Sequence, residues 1–176
     1  MTQHSDDDCS PLPAQGPARL LSEPPFAVSD GRQSARASEI ARGASRVLAQ
    51  HGLRALAELP LANGRRADLT AIAEDGTIWI VEIKSSLEDF RADQKWPEYR
   101  EFSDRLYFAV GPDFPHEVLP AEAGLIIADR YGGEIVRNAP EHRLAAARRK
   151  AMLLRFARVA ASRLMTLADP GQPYEI

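Results

Sequence analysis

Two short apolar segments separated by a turn signal constrain the fold of this chain more than any other feature. Residues 69–72 read Leu-Thr-Ala-Ile, and residues 77–81 read Thr-Ile-Trp-Ile-Val. Between them, Glu74-Asp75-Gly76 contains the Asp-Gly pair that is typical of a tight hairpin turn. The sequence therefore predicts two neighbouring antiparallel strands.

Three charged residues flank this predicted hairpin. Asp68 begins the first strand, and Glu82 follows after thirteen intervening residues at the end of the second, with Lys84 just beyond it. Because side chains alternate across a strand, Glu82 and Lys84 project to one face, while Val81 and Ile83 project to the other. Asp68 needs only to lie across the hairpin to join them. We expect the three side chains to converge.

Two carboxylates and a free carbonyl, such as that of Ile83, suit a hard divalent cation, Mg²⁺ or Mn²⁺. Such a metal polarises a phosphoryl oxygen and helps to generate hydroxide. Lys84 would orient or deprotonate the attacking water and offset the charge of the transition state. The chain has three lysines against nineteen arginines, so a lysine at this position hints at chemistry that arginine cannot perform.

A structural explanation of the same residues stays open. Glu-x-Lys on a strand can be a same-face ion pair at a sheet edge, and Asp68 could close the Asn63-Gly64 turn. Zinc is not expected, because the only cysteine is Cys9 and the four histidines form no ligand pair at helical spacing.

The order of elements gives these residues a context. A helix capped by Ser38 is predicted to run to Gln50, followed by strands at 53–61, around Asp68 and at 77–84. A helix over 87–104 and an apolar strand over 106–110 complete an αβββαβ order. Residues 123–128 and 134–136 predict two further strands.

This order, with an acid on the second strand and Glu-x-Lys at the end of the third, resembles the core of the PD-(D/E)xK nuclease superfamily. Ala67-Asp68 stands where that superfamily often has Pro-Asp, a common departure. Gly64-Arg65-Arg66-Ala67-Asp68, Val81-Glu82-Ile83-Lys84-Ser85-Ser86, residues 89–99 and Phe108-Ala109-Val110 resemble the MmcB family of bacterial DNA repair proteins. The resemblance covers roughly residues 38 to 165.

The resemblance implies an α/β domain with a restriction-endonuclease-like core, a mixed central sheet and flanking helices. It also implies DNA repair, by metal-dependent endonucleolytic cutting, with Asp68, Glu82 and Lys84 in the catalytic site. The rival interpretation is a non-catalytic DNA-binding or scaffold module on the same fold. A third class, an enzyme that acts on RNA or free nucleotides, also stays open.

Two basic surfaces are candidates for DNA contact. Arg91, Lys95 and Tyr99 recur every fourth residue on the predicted helix, where Lys95 would bind a phosphate and Tyr99 would add a hydroxyl or stack on a base. Pro97 should kink this helix near Asp93 or shorten it. The alternative is that Lys95 and Tyr99 are simply exposed, while Trp96 and Phe102 belong to the core.

The second surface is a long C-terminal helix predicted over 141–167. Residues 137–163 carry eight basic residues and one acid, although the whole chain has a net charge of −3. An apolar stripe (Leu153, Phe156, Ala160, Leu164, Leu167) would pack on the domain. The opposite side would then offer Arg148, Arg155 and Arg158 to phosphates, or leave them solvated.

One more acid is expected near the metal. Glu58 lies between Ala57 and Leu59 in an apolar strand, where burial without a partner would be costly. Glu39, in the first turn of the first helix, is explained by the helix dipole alone. Glu58 is the preferred candidate.

The domain plan is a disordered leader over residues 1–36, one nuclease-like domain over 37–168 and a short tail over 169–176. The leader is rich in Pro, Ser, Gly and Asp and lacks the pattern of a secretory signal. Its Asp6-Asp7-Asp8 run could mimic phosphates, but a solvated acidic tail is the simpler interpretation. Without an apolar run long enough to span a membrane, a cytoplasmic protein is expected, with DNA and other repair proteins as partners.

Overall fold

The computed structural model describes residues 34–93 and 95–171, which form a mixed six-stranded sheet with helices on both faces. The strands are β1 Arg54–Pro60, β2 Arg66–Ile72, β3 Ile78–Lys84, β4 Arg105–Val110, β5 Gly124–Ala128 and β6 Gly133–Arg137. The α-helices are α1 Ala35–Gln50, α2 Leu87–Ala92 and α3 Ala146–Ala168. Two 3-10 helices cover Trp96–Phe102 and His116–Val118.

The sheet follows chain order, β1-β2-β3-β4-β5-β6. The first three strands form an antiparallel meander, β4 runs parallel to β3, and β5 runs parallel to β4. β6 returns antiparallel to β5. The predicted αβββαβ order and the two added C-terminal strands are therefore confirmed, as is the mixed sheet flanked by helices.

The β2–β3 hairpin forms around the predicted turn. Gly76 has a φ of 81°, a left-handed conformation that favours glycine. The turn closes through hydrogen bonds from the Gly76 amide to the Ala73 carbonyl and from the Thr77 amide to the Asp75 carboxylate. β3 lies in the interior of the sheet, so Glu82 and Lys84 are not at an edge.

The two faces of the sheet carry separate cores. On one face, α1 buries Ile40, Ala44, Val47 and Leu48 against Leu69, Val81 and Tyr107. On the other, Ile78, Ile80 and Leu106 pack with Phe102, Met152 and Val159 from the 3-10 helix and α3. Glu82 and Lys84 have the same strand parity as Ile78 and Ile80, so they belong to this second face.

Three predicted boundaries are corrected. The first helix begins at Ala35 and is capped by the hydroxyl of Ser34, not by Ser38, because Ser34 accepts a hydrogen bond from the Ala37 amide. The single helix predicted over 87–104 is instead α2 and the separate 3-10 helix. The C-terminal helix starts at Ala146 rather than Glu141.

Most of the predicted disordered leader, residues 1–33, lies outside the described residues, as do residues 172–176 of the tail.

Candidate functional site

Asp68 and Glu82 face each other where the β2–β3 ladder ends. The register pairs Leu69 with Val81, so one more step places Asp68 opposite Glu82. At that step, side chains bridge the two strands. The Asp68 amide donates to Oε1 of Glu82 at 3.3 Å, and the Ile83 amide donates to Oδ2 of Asp68 at 2.8 Å. The expected meeting of the two carboxylates across the hairpin is therefore present in the structure.

Both carboxylates lie in a poorly solvated environment. Glu82 is 3% exposed, and Asp68 is half-buried. Burial raises the pKa of Asp68 to about 6, although the Ile83 amide and the charge of Lys84 pull it down. Burial and the neighbouring Asp68 charge raise the pKa of Glu82 well above its ordinary value. Two adjacent acids that both resist ionisation favour a nearby cation.

Lys84 shares the face of Glu82 but forms its ion pair with Asp93. Nζ lies 2.5 Å from Oδ2 of Asp93, at the C-terminal end of α2. Burial lowers the pKa of Lys84, but the hydrogen bond and charge of Asp93 outweigh it, so the net pKa is raised. Lys84 is therefore an ammonium ion. The Glu-x-Lys motif is not a simple pair between its own two charged residues.

Glu58 lies in the same row of the sheet, on β1. The β1–β2 register would place it opposite Asp68, and its charge contributes to the raised pKa of Asp68. Its φ of 52° is left-handed, which is strained for a residue with a side chain. Oε2 lies 2.9 Å from NH1 of Arg66, so the partner that its burial requires is present.

The Asn63-Gly64 turn does not use Asp68. Asn63 Oδ1 accepts from the Arg65 amide, and the Leu61 amide donates to the Arg65 carbonyl. Arg65 itself forms a two-point ion pair with Glu98, at 2.6 and 2.7 Å. The interpretation of Asp68 as a turn-closing residue is therefore wrong.

The donor set matches a hard cation better than a soft one. Among residues 34–93 and 95–171, no cluster of three or more His, Cys, Asp or Glu is arranged to hold a metal. Asp68 and Glu82 each use one oxygen for a backbone amide, and the described residues offer no hydrogen bond to the other oxygen. Two carboxylates with free oxygens fit Mg²⁺ or Mn²⁺, which retain water ligands. The Ile83 carbonyl remains a candidate ligand.

The expected helical row of DNA contacts is broken. Arg91 lies in the last turn of α2 and Lys95 is the N-cap of the 3-10 helix, and both side chains are exposed. Tyr99 is 6% exposed, and its hydroxyl donates to the Arg66 carbonyl at 3.2 Å. The predicted row fails at Tyr99 because α2 ends at Ala92, close to the break expected near Asp93, and Tyr99 lies in a separate 3-10 helix.

The arginines of α3 mostly hold the domain together. Arg148 pairs with Glu101 at 3.0 Å, and Arg155 donates to the Pro60 carbonyl at 3.2 Å. Arg163 donates to the carbonyls of Ala57 and Glu58. Arg158 is exposed. The hydrogen bonds of Arg155 and Arg163 satisfy carbonyls along the outer edge of β1, which would otherwise be unpaired.

The apolar stripe of α3 is only partly buried. Met152 and Val159 are the buried residues of the helix, whereas Leu164 and Leu167 are 66% and 68% exposed. The prediction that the whole stripe packs on the domain is therefore wrong for its last turns. Beyond Arg163, the apolar side chains of Leu164 and Leu167 no longer pack against the sheet and are exposed to solvent.

Sequence reasoning missed two functional or structural partners. Asp93 pairs with Lys84, and Asp104 is a buried acid held by Arg149 and two backbone amides. A signal for Asp93 was present: a carboxylate at the C-terminal end of a helix opposes the helix dipole and needs another partner. Asp104 carried no such signal, because its partner lies forty-five residues away in the chain.

Among the described residues, no helix is both long and apolar enough to cross a bilayer.

No curated protein matches the chain significantly. The solved structure of SPO1766, a protein of unknown function from Silicibacter pomeroyi, is similar, with a TM-score of 0.76 and 48% sequence identity. That match covers 80% of this chain and 97% of the other.

A protein-family comparison addresses the resemblance of the sequence motifs directly. The profile described as DNA repair protein MmcB-like matches residues 24–171, a span that contains the Asp68, Glu82 and Lys84 strands and all of α3. The match extends over well more than half of the chain. The chain therefore belongs to the MmcB-like family of DNA repair proteins.

Proposed function

We propose that this protein is a DNA repair endonuclease that hydrolyses DNA phosphodiester bonds with a divalent metal at Asp68 and Glu82. The observation that carries the proposal is the meeting of these two carboxylates across the β2–β3 hairpin, with the Lys84 ammonium on the same face. Membership of the MmcB-like family supports DNA as the substrate.

The topology supports a restriction-endonuclease-like core of the PD-(D/E)xK type. That core is an αβββαβ unit in which three antiparallel strands precede a helix and a parallel fourth strand. Here β1 to β3 form the meander, and β4 runs parallel to β3. The acid on β2 and the Glu-x-Lys at the end of β3 support this assignment, because the superfamily pattern has an acid and a Glu-x-Lys on these two strands.

Asp68 and Glu82 would hold Mg²⁺ or Mn²⁺, with the Ile83 carbonyl as a further ligand and Glu58 near it. When bound, such a cation supplies Lewis-acid polarisation of a phosphoryl oxygen and lowers the pKa of water. The two carboxylates ionise reluctantly without a cation, so they provide a charge environment that favours one.

Lys84 would supply a positive charge and would not act as a base. Its raised pKa keeps the ammonium form, which can orient a water molecule and offset the negative charge that builds on the phosphoryl oxygens. Exposed Arg91 and Lys95, next to the site in the chain, would hold the DNA backbone, with Arg158 contributing from α3.

A DNA-binding module without catalysis is the second candidate. The observation that favours it is the Lys84–Asp93 ion pair, which gives the lysine a structural partner. The two candidates differ in whether DNA is cut or only bound.

The experiment uses duplex, single-stranded, flapped and branched DNAs with Mg²⁺ or Mn²⁺, and the variants Asp68→Ala and Lys84→Ala. The nuclease proposal expects cleavage by the wild type, its loss in both variants and retained binding. Glu74→Ala, in the exposed hairpin turn, and Lys150→Ala, on α3, are matched controls that should still cleave. Binding without cleavage under either metal supports the module, and cleavage by Asp68→Ala or Lys84→Ala contradicts the assigned site.

A further inference from the structure

Lys84 has four acidic neighbours and pairs with Asp93, which is not a proposed metal ligand. The charges of Asp93, Glu82 and Asp89 act on Lys84, and the charge of Lys84 acts on Asp68, so four acids lie near the ammonium. The ion pair at 2.5 Å is with Asp93. Among the described residues, Lys84 forms no ion pair with Asp68 or Glu82. The ammonium is therefore paired with a carboxylate outside the two proposed metal ligands.

Asp93 is itself held in place. Its Oδ1 accepts from the Lys95 amide at 3.1 Å, and its own amide donates to the Asp89 carbonyl at 3.2 Å. It lies at the C-terminal cap of α2, where a carboxylate opposes the helix dipole. The helix does not benefit from an acid there, whereas Lys84 does.

We propose that Asp93 is a positioning residue that keeps the Lys84 ammonium out of the space between Asp68 and Glu82, so that a divalent cation can bind there. The inference rests on the proposed function and adds a residue to its site. Lys84 is 4% exposed, and a buried charge without a partner is strongly unfavourable. Without Asp93, the remaining anions near Lys84 are the two proposed metal ligands and Asp89, whose carboxylate already accepts hydrogen bonds from the amide and hydroxyl of Ser85.

The proposal predicts that Lys84 competes with the metal once Asp93 loses its charge. Calorimetric titration of the full-length chain with Mn²⁺ alone measures this competition without DNA. Asp93→Asn is expected to weaken Mn²⁺ binding roughly 10–100-fold, the usual effect of removing an outer partner of a metal site. Asp93→Glu keeps the carboxylate and should stay near the wild-type affinity.

A second substitution separates positioning from a structural role. In Asp93→Asn, the further change Lys84→Met removes the competing ammonium and should restore Mn²⁺ binding to near the wild-type value. A general loss of structure would not be repaired in this way. Glu88→Gln removes a carboxylate from the same helix but not the partner of Lys84, so it should leave the affinity unchanged.

Two results overturn this inference alone: wild-type affinity in Asp93→Asn, or weakened binding that Lys84→Met fails to restore. A wild-type chain that binds no Mn²⁺ overturns the proposed metal site and this inference together. Weak binding in Asp93→Asn with restoration by Lys84→Met supports it, whether or not the protein cuts the DNAs tested.

Discussion

Asp104 and Arg149 form a two-point ion pair that joins the start of β4 to α3, with N–O distances of 2.6 and 2.7 Å. Asp104 is 1% exposed, and its carboxylate also accepts from the amides of Ile78 and Leu144. Arg149 donates in addition to the Gly76 carbonyl in the β2–β3 turn. One arginine of the basic helix thus connects α3 to both the hairpin and β4.

Arg149→Ala should destabilise the protein, because it leaves a buried carboxylate without its cation. We expect a loss of about 3 kcal/mol in the free energy of unfolding, at the lower end for a broken buried pair because two amides still hold Asp104. The melting temperature should fall by several degrees. Lys150→Ala, at the exposed neighbouring position, is the control. Equal melting temperatures for the two variants would show that the pair contributes little.

The raised pKa of Asp68 predicts how the metal-free protein responds to pH. Burial raises this pKa from 3.8 to about 6, so the folded chain holds the proton more tightly than the unfolded chain. The contribution of Asp68 to the free energy of unfolding is therefore present at low pH and is lost as pH rises from 3.8 through about 6. At 1.36 kcal/mol per pKa unit, the loss is at most about 3 kcal/mol.

Asp68→Asn removes this ionisation and keeps an acceptor for the Ile83 amide. Urea unfolding with a chelator present should show higher stability than the wild type at neutral pH and a flatter dependence on pH. Added Mn²⁺ should stabilise only the wild type, so that the wild type becomes more stable than Asp68→Asn. Glu74→Gln, in the exposed turn, should follow the wild type. A wild type whose metal-free stability rises with pH across this window, while Asp68→Asn stays flat, would contradict the assignment.

Local patterns in the sequence predicted the hairpin and the meeting of its charged residues. Alternation in residues 77–81 fixes the faces of β3, and the Asp75-Gly76 turn fixes the register that brings Asp68 to Glu82. Both are short-range properties. The partners of Lys84 and Arg149 depend on how separate elements pack against each other. A short sequence pattern carries no information about that packing.

The same reasoning explains the two helical errors. A 3.6-residue period indicates which side of α3 is apolar, but not how far the sheet beneath it extends, so the exposure of Leu164 and Leu167 was not predictable. Pro97 signalled a break, yet the spacing of Arg91, Lys95 and Tyr99 assumed a continuous helix. Because α2 ends at Ala92 and Tyr99 belongs to a separate 3-10 helix, Tyr99 lies in the core.

Lys95 offers an exposed ammonium near the site, and its removal should weaken DNA binding through phosphate contact. Lys95→Ala is expected to lower affinity for all sequences alike and to reduce the slope of log affinity against log salt by about 1. Fluorescence anisotropy at several salt concentrations gives this slope. Arg54→Ala, an exposed arginine at the far end of β1, serves as the charge control. An unchanged slope in Lys95→Ala would remove this residue from the DNA surface.

The hydroxyl of Tyr99 serves the fold, because it donates to the Arg66 carbonyl instead of pointing to solvent. Tyr99→Phe should therefore cost about 1 kcal/mol of unfolding free energy and leave DNA affinity unchanged. Chemical denaturation and a binding titration on the same preparation measure the two quantities. A stable variant with weakened DNA binding would restore the original assignment of Tyr99 to the DNA surface.

The nicking of supercoiled plasmid in Mn²⁺ by the wild type and by Asp68→Asn tests the central claim most directly, with DNA binding of both measured in parallel. Asp68→Asn keeps the hydrogen bond to β3 but loses the charge that would hold the metal. The account predicts nicking by the wild type alone, stopped by chelator, with equal DNA binding. Equal nicking by both proteins, or none by the wild type while it binds the plasmid, would contradict it.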